Sequence, residues 1–254
     1  MIPLGLKAYK LVKGGNTDQE YEDAAAYDLG QARFAVADGA SEASFSGLWA
    51  KILTDEFVFS YPPGGRSGKA LKWLTSSEKR WYESVPWSRL HSYFVEEKAK
   101  MGAFATFLGL SFASRPGDRG VDWHAVAIGD SCLFHVRGGT LVKAFPVTHS
   151  SHFGNCPALL PSIPGKRPRP LDKFKWAWGA CEASDLFFLA TDAVAQWCLR
   201  SLEAGAPPWA RLRDFKDGDD FRTWVGALRE DRQMRNDDVS VLVVEVQDVL
   251  AGPV

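Results

Sequence analysis

The chain contains little cysteine, no long apolar run and almost no net charge. Its four cysteines are widely separated and form no Cys-x-x-Cys pair, which argues against a zinc site and, in a chain of 254 residues, against a disulfide framework. No apolar stretch reaches the length of a membrane span, and the first residues lack the basic region and apolar run of a secretion signal. Thirty basic residues against 31 acidic ones leave a net charge of -1, so no global field attracts nucleic acid or an anionic membrane. These absences predict a cytoplasmic protein with neither nucleic acid nor a membrane as a partner.

Aromatic residues are plentiful. The chain has 10 tryptophans and 16 phenylalanines, and 46% of its residues are hydrophobic. A chain of this length can bury one large core, since mixed domains of helices and strands often reach this size. We therefore predict a single domain over residues 1–254.

Four apolar runs lie next to an aspartate. The run over residues 34–37 ends on Asp38, and comparable runs flank Asp130, Asp192 and Asp237. Aspartate favours turns, so one such residue at a strand end indicates only a turn. Four of them predict strand ends that converge on one acidic cluster. Carboxylates within about 5 Å of one another repel strongly at low dielectric, so this cluster must take up protons or bind cations.

Hydrophobic periodicity predicts strands and helices in blocks rather than in strict alternation. The predicted strands cover residues 5–12, the run that ends at residue 38, and residues 105–112, 123–128, 132–136, 140–145, 186–190 and 239–246. The predicted helices cover residues 48–58, 68–83, 87–101, 193–202 and 219–232, which makes residues 44–101 a helical stretch. Residues 149–182 are rich in proline, glycine and basic residues without a sustained period, and we predict a long surface segment there. This pattern indicates an α+β layered fold.

The motifs, taken in order, resemble those of the metal-dependent serine/threonine protein phosphatases of the PPM family, the type 2C phosphatases. They are Glu22-Asp23-Ala24, Val36-Ala37-Asp38-Gly39, Ala105-Thr106, Gly129-Asp130-Ser131, Thr191-Asp192 and Asp237-Asp238-Val239-Ser240-Val241. The resemblance covers nearly the whole chain. It implies a β-sandwich of two antiparallel sheets flanked by helices, with a binuclear Mn²⁺ or Mg²⁺ centre at one end. It also implies that the segment at about 149–182 is a flap beside the active site.

The resemblance gives each acidic residue a role. Asp38 resembles the carboxylate that bridges two metals, and Gly39 the residue that supplies a backbone carbonyl ligand. Asp192 and Asp237 resemble terminal ligands, so the implied catalytic residues are Asp38, Asp192 and Asp237. Three further assignments complete the implied site. Asp23 with Glu22 would hold metal-bound water, Asp130 would share a third, weaker metal with Asp192, and Asp238 would lie beside the ligands.

All-oxygen ligation of this kind suits Mg²⁺ or Mn²⁺ and not zinc. Two such ions can lower the pKa of a shared water and clamp the oxygens of a phosphate, so no protein nucleophile is required. Together with this chemistry, the resemblance implies hydrolysis of phosphoserine and phosphothreonine in proteins, with a phosphorylated protein as the partner. Two alternatives stay open: a phosphohydrolase for a small phosphorylated molecule, and a pseudophosphatase that serves as a binding module.

Several positions depart from the pattern of the family. Ala40 stands where relatives often carry a histidine proposed as general acid, and His149 is the nearest alternative donor. No arginine precedes Glu22, where many relatives place a phosphate-binding one, which leaves Lys13 and Arg33 as candidates. The sequence thus supplies more candidate metal ligands than candidate substrate-binding residues.

Overall fold

The computed structural model describes residues 2–41, 43–60, 67–90, 93–115, 117, 120–154, 156–165 and 171–247. The strands are β1 (Leu4–Leu11), β2 (Asp23–Asp28), β3 (Arg33–Asp38), β4 (Phe104–Ala105), β5 (Phe107–Ser114), β6 (Val121–Ile128), β7 (Cys132–Arg137), β8 (Thr140–Phe145), β9 (Leu160–Pro161), β10 (Lys175–Cys181), β11 (Leu186–Ala190) and β12 (Val239–Val246). The helices are α1 (Ser46–Ser60), α2 (Ser67–Ser84), α3 (Tyr93–Lys100), α4 (Asp192–Glu203), α5 (Trp209–Arg213) and α6 (Gly218–Glu230). Over the described residues, none of these helices is long and apolar enough to cross a membrane.

Two five-stranded antiparallel sheets form the centre of the fold. The first sheet has the strand order β1-β12-β11-β7-β8, and the second has the order β10-β6-β5-β3-β2. The short strands β4 and β9 pair separately. The predicted α+β sandwich of two antiparallel sheets flanked by helices is confirmed.

Three apolar layers hold the sheets and helices together. Between the sheets, alternate residues such as Phe34, Leu110 and Phe187 face one another, as the two-residue period of a strand requires. On the outer face of the second sheet, α1 and α2 pack aromatic side chains such as Trp49 against strand alanines. Helices α4, α5 and α6 cover the outer face of the first sheet around Trp209. The resulting order is helix, sheet, sheet, helix.

The predicted third helix is shorter than expected. The sequence predicts a helix over residues 87–101, but Trp87–Arg89 form a single 3₁₀ turn and the α-helix begins only at Tyr93. Pro86 starts this turn, and its missing N–H and fixed φ favour a break in the chain there. Helix α5 was not predicted because it is only five residues long.

The segment predicted to be irregular over residues 149–182 contains the two-residue strand β9 and the longer strand β10. Strand β10 pairs with β6 along its whole length and forms one edge of the second sheet. An edge strand needs no continuous apolar run, and among the residues of β10 only Ala177 is buried. Residues 155 and 166–170, which include the basic part of this segment, lie outside the described residues. A flap role for the segment stays a prediction.

Candidate metal centre

Interior-facing residues become polar at one end of the sandwich. Along β3, Phe34 and Val36 face the core between the sheets, and the next residue with the same orientation is Asp38. On β12 the core residue Leu242 gives way to Ser240 and then to Asp238. The same change occurs on the neighbouring strands. The polar set is Asp23, Asp38, Thr106, Ser131, Thr191, Asp238 and Ser240.

Asp23 and Asp38 lie directly opposite each other on β2 and β3. Residues paired in this way have Cα atoms about 4.5–5.5 Å apart, and like charges in such a pair are destabilising. The Thr191 hydroxyl donates a hydrogen bond of 2.8 Å to Asp23 Oδ2 and thereby joins the two sheets. The other oxygen, Asp23 Oδ1, is buried and has no hydrogen-bond partner in the described structure. A buried carboxylate oxygen without a partner is costly unless a proton, a cation or a hydrogen-bond donor such as water satisfies it.

Asp130 enters the cluster from the turn between β6 and β7. Gly129, just before it, has a φ of +92°, and a Cβ there would lie 2.6 Å from Thr106 Cγ2, so both the backbone and the space favour glycine. The Thr106 side chain is held by a 2.9 Å hydrogen bond with Ser131. Asp130 is 5% exposed, and its Oδ1 also lacks a described partner. Burial, together with the charge of Asp192, raises the pKa of Asp130 to about 7.

Asp192 and Asp237 form ion pairs with an arginine that the sequence analysis did not single out. Asp192 is the first residue of α4, and its Oδ2 accepts a hydrogen bond from Arg235 Nη2. Arg235 Nε lies 3.3 Å from Asp237 Oδ2, so one guanidinium pairs with two predicted metal ligands. Burial lowers the pKa of Arg235, but attraction to Asp192 and Asp237 outweighs it and the net shift is upward. Acidic motifs directed the prediction here, and a basic residue two positions before Asp237 was therefore missed.

Asp238 fixes the backbone around the cluster. Its two carboxylate oxygens accept hydrogen bonds of 2.7 Å from the backbone N–H groups of Lys13 and Glu22. These bonds position the start of β2, so that Glu22 and Asp23 follow at the cluster. With both oxygens engaged, Asp238 has the arrangement of a positioning residue. Its predicted place beside the metal ligands stays a prediction.

Gly39 makes a close backbone approach. A Cβ at residue 39 would lie 2.8 Å from the Glu22 carbonyl oxygen and 2.8 Å from the Ser46 carbonyl carbon. Neighbouring residue Glu22 also accepts a hydrogen bond from the Gly39 N–H at 3.2 Å. The tip of β3 therefore lies against both the start of β2 and the start of α1, which brings Asp38, Gly39 and Glu22 together.

The carboxylates raise one another's pKa. Burial raises the pKa of both Asp23 and Asp38 well above the usual value, and the charges of Asp192 and Asp237 add to both shifts. Burial also raises the pKa of Glu22, against a hydrogen bond from Ser41. These shifts identify one electrostatic cluster and not a set of separate strand ends.

The donor chemistry of this cluster fits Mg²⁺ or Mn²⁺. Every candidate ligand atom is an oxygen, and two of these oxygens, Asp23 Oδ1 and Asp130 Oδ1, are buried without a described hydrogen-bond partner. Within the described part of the chain, however, no three acidic, histidine or cysteine side chains converge closely enough to hold an ion. The pairing of Arg235 with Asp192 and Asp237 accounts for part of this arrangement, because it turns two carboxylates towards a guanidinium.

Two predicted auxiliary residues lie elsewhere. Arg33 is at the other end of β3, about 17 Å from Asp38 at the usual rise per strand residue, and donates to the Val58 carbonyl at 3.1 Å. It is therefore not a phosphate ligand at this cluster. His149 lies 3.5 Å from Glu203 at the end of α4, and that helix rises about 16 Å from its start at Asp192. This position does not suit a proton donor at the cluster.

Solved structures provide a comparison for this arrangement. PppA, a key regulatory component of T6SS in Pseudomonas aeruginosa, is 17% identical, with a TM-score of 0.62 over 96% of this chain and 98% of that chain. The catalytic domain of the serine/threonine phosphatase PstP, solved in complex with two manganese ions, is 16% identical, with a TM-score of 0.60 over 96% and 99%. MsPP, a PPM Ser-Thr phosphatase from Mycobacterium smegmatis, is 16% identical, with a TM-score of 0.54 over 96% and 98%. No family model and no curated protein sequence matches the chain.

The chain has the fold of PPM-type serine/threonine phosphatases. The similarity extends over nearly the whole of both chains, so the predicted resemblance is confirmed at the level of fold. In this PPM-type fold the acidic cluster lies at one end of the sandwich, as the resemblance implies. Identities of 12–17% extend no further than the fold.

Proposed function

We propose that this chain is a divalent-metal-dependent phosphatase that acts on phosphoserine and phosphothreonine in proteins. One observation carries the proposal: Asp23 and Asp38 face each other at the end of the sandwich, and a buried oxygen of Asp23 has no described partner. The cost of burying such a pair is met by binding cations, and all-oxygen donors select Mn²⁺ or Mg²⁺. The PPM-type fold supports the same reaction.

We assign the roles as the resemblance implies them. Asp38 and the Gly39 carbonyl, with Asp192 and Asp237, would hold two ions, and Asp23 with Glu22 would hold the surrounding water. Asp130 would share a third ion with Asp192. Bound there, Mn²⁺ or Mg²⁺ would lower the pKa of water and neutralise phosphate oxygens.

The surrounding residues orient these ligands. Thr191 donates to Asp23 Oδ2 and leaves the buried Oδ1 without a described partner. Thr106 accepts a 3.3 Å hydrogen bond from the Asp38 N–H through its hydroxyl and returns one from its own N–H to the Asp38 carbonyl at 2.9 Å. Asp38 is thereby fixed at both of its backbone polar groups. A site supported in this way loses little binding energy to reorganisation.

Thermal unfolding and phosphopeptide hydrolysis, each with and without Mn²⁺, test the proposal. A ligand that binds only the folded protein stabilises it by about 2.7 kcal/mol at a hundredfold excess over its Kd. We expect this stabilisation in the wild type and its loss in Asp38→Asn. Asp219→Asn, on a side chain that is 88% exposed, is the matched control and should behave as the wild type does. Equal melting temperatures of the wild type with and without Mn²⁺ would contradict the metal site.

A second candidate is a pseudophosphatase that binds a partner without catalysis. The pairing of Arg235 with two predicted ligands favours it, since a guanidinium can neutralise carboxylates without metal. Under this alternative, the wild type binds no Mn²⁺ and hydrolyses no phosphopeptide. Hydrolysis of p-nitrophenyl phosphate alone, with no phosphopeptide cleaved, would instead favour a small-molecule phosphohydrolase.

A further inference from the structure

Arg235 occupies an unusual position for a surface arginine. Its side chain is 42% exposed, yet its guanidinium reaches Asp192, whose side chain is only 11% exposed. The same group lies 3.3 Å from Asp237, and Asp130 also contributes attraction. The guanidinium therefore lies among the acidic cluster although the side chain as a whole keeps substantial contact with solvent.

The backbone around Arg235 is held firmly. Met234 is buried, and its N–H donates to the Leu228 carbonyl at 3.0 Å. Asn236 exchanges hydrogen bonds of 2.7 and 3.1 Å with the backbone of Gly14. Arg229, near the end of α6, donates to the carbonyl oxygens of Val12 and Asp237 instead of to a carboxylate. The fold thus fixes where the Arg235 side chain starts, while the long side chain itself can rotate outwards.

A guanidinium and a divalent cation compete for the same oxygens. Arg235 engages Oδ2 of both Asp192 and Asp237, which are two of the ligands in the proposed function. The positive charge of the guanidinium, held against these two carboxylates, also repels an incoming cation. Metal ligation through these two Oδ2 atoms therefore requires Arg235 to leave them.

We propose that Arg235 is an internal counter-cation that pairs with Asp192 and Asp237 until metal displaces it. The inference rests on the proposed function, because it assumes that these carboxylates bind metal. It has two linked consequences: Arg235 stabilises the protein when no metal is present, and it weakens the affinity for metal. The chain then folds without metal and reaches half-saturation only at a higher metal concentration.

Calorimetric titration of Mn²⁺ into chelator-treated protein measures the competition directly. We expect the Kd for Mn²⁺ to be at least tenfold lower in Arg235→Ala than in the wild type. The same variant should melt at a lower temperature than the wild type in the presence of EDTA, and at an equal or higher temperature with saturating Mn²⁺. Arg222→Ala is the control: it removes the same charge from a side chain that is 69% exposed and pairs with Asp219. Its Kd should stay within twofold of the wild type.

Arg235→Lys provides a second variant that keeps the charge but not the two-pronged geometry, and it should lie between the wild type and Arg235→Ala in Kd. If the wild type binds Mn²⁺ and neither variant binds it more tightly, the inference is wrong and the proposed metal site stands. If neither the wild type nor either variant binds Mn²⁺, the proposed metal site fails and the inference fails with it. Binding by the wild type that tightens in the order wild type, Arg235→Lys, Arg235→Ala, with Arg222→Ala unchanged, supports the inference.

Discussion

Replacing Gly39 with alanine should separate the backbone of this site from its charges. The new Cβ would lie 2.8 Å from Glu22 O, 2.8 Å from Ser46 C and 2.9 Å from Ser46 Cβ. Two of these three atoms belong to the backbone, so no side-chain rotation relieves the overlap. Either the start of α1 or the start of β2 must move by several tenths of an ångström.

The size of the effect follows from this crowding. Forcing an extra methyl group into a packed interior costs about 1–3 kcal/mol. For a domain of this size, that corresponds to a fall in Tm of roughly 2–12 °C. The variant keeps the carbonyl of residue 39 and every carboxylate, so any loss of metal response comes from displacement alone. Because displacements near 1 Å can cost about a hundredfold in rate, we expect Mn²⁺-dependent phosphatase activity to fall by roughly 10–100-fold.

Gly226 provides the matched control. It lies within α6, and a Cβ there would meet nothing within 4 Å. Gly226→Ala should therefore raise stability by about 0.5–1 kcal/mol, the usual gain for alanine over glycine in a helix. Differential scanning calorimetry of both variants, with and without Mn²⁺, measures the contrast. A Gly39→Ala protein that melts with the wild type and responds equally to Mn²⁺ would refute the close approach at the tip of β3.

Three further predictions concern a titration, a buried ion pair and the leaving group. The pKa of Asp130 is raised to about 7, so its ionisation destabilises the folded protein: the penalty is absent below about pH 4, grows as the pH rises and is complete above about pH 7. Urea unfolding of Asp130→Asn in EDTA should show a free energy of unfolding that no longer falls over this pH range, a difference of up to about 4 kcal/mol from the wild type at high pH. A pH dependence equal to that of the wild type would contradict this prediction. Arg137→Met should lower the free energy of unfolding by about 2–3 kcal/mol in the same assay, because the fully buried Asp185 loses its two-pronged partner. The 37% exposure of Arg137 lets water replace part of that contact, which limits the loss. A loss under about 1 kcal/mol would contradict this prediction. At saturating Mn²⁺, Ala40→His should lower the ratio of p-nitrophenyl phosphate turnover to phosphoserine-peptide turnover. Serine is the poorer leaving group, and a general acid typically contributes about 10²–10⁴-fold. An unchanged ratio would mean that another group already donates the proton.

The sequence predicts the acidic half of the site because strand periodicity and chain order are both local signals. Asp38, Asp130 and Asp192 each stand at the end of an apolar run, and the structure brings them together at one end of the sandwich. The layered fold follows from the same alternation of apolar residues. No part of this inference required knowledge of side-chain contacts.

The remaining features depend on contacts between distant parts of the chain. Arg235 pairs with Asp192 across 43 residues, and nothing in its own surroundings in the sequence marks it as part of the cluster. Arg33 was a plausible phosphate ligand only until the direction of β3 placed it at the opposite end of that strand. Strand β10 was missed because half of an edge strand faces solvent and shows no apolar run. The error on Arg235 concerns which distant neighbour a residue meets, and periodicity does not specify that.

The net charge of the chain also hides the field at this site. The total of -1 argues against global attraction of a polyanion. At the end of the sandwich, however, five carboxylates (Asp23, Asp38, Asp130, Asp192 and Asp237) and one guanidinium (Arg235) leave four formal negative charges when all are ionised. Each like charge about 5 Å away costs about 3 kcal/mol at an effective dielectric constant of 20, so a phosphate dianion is repelled strongly from this cluster. Phosphate chemistry here would therefore need added positive charge. Two divalent ions would supply four such charges, which supports the metal dependence that we propose for the phosphatase activity.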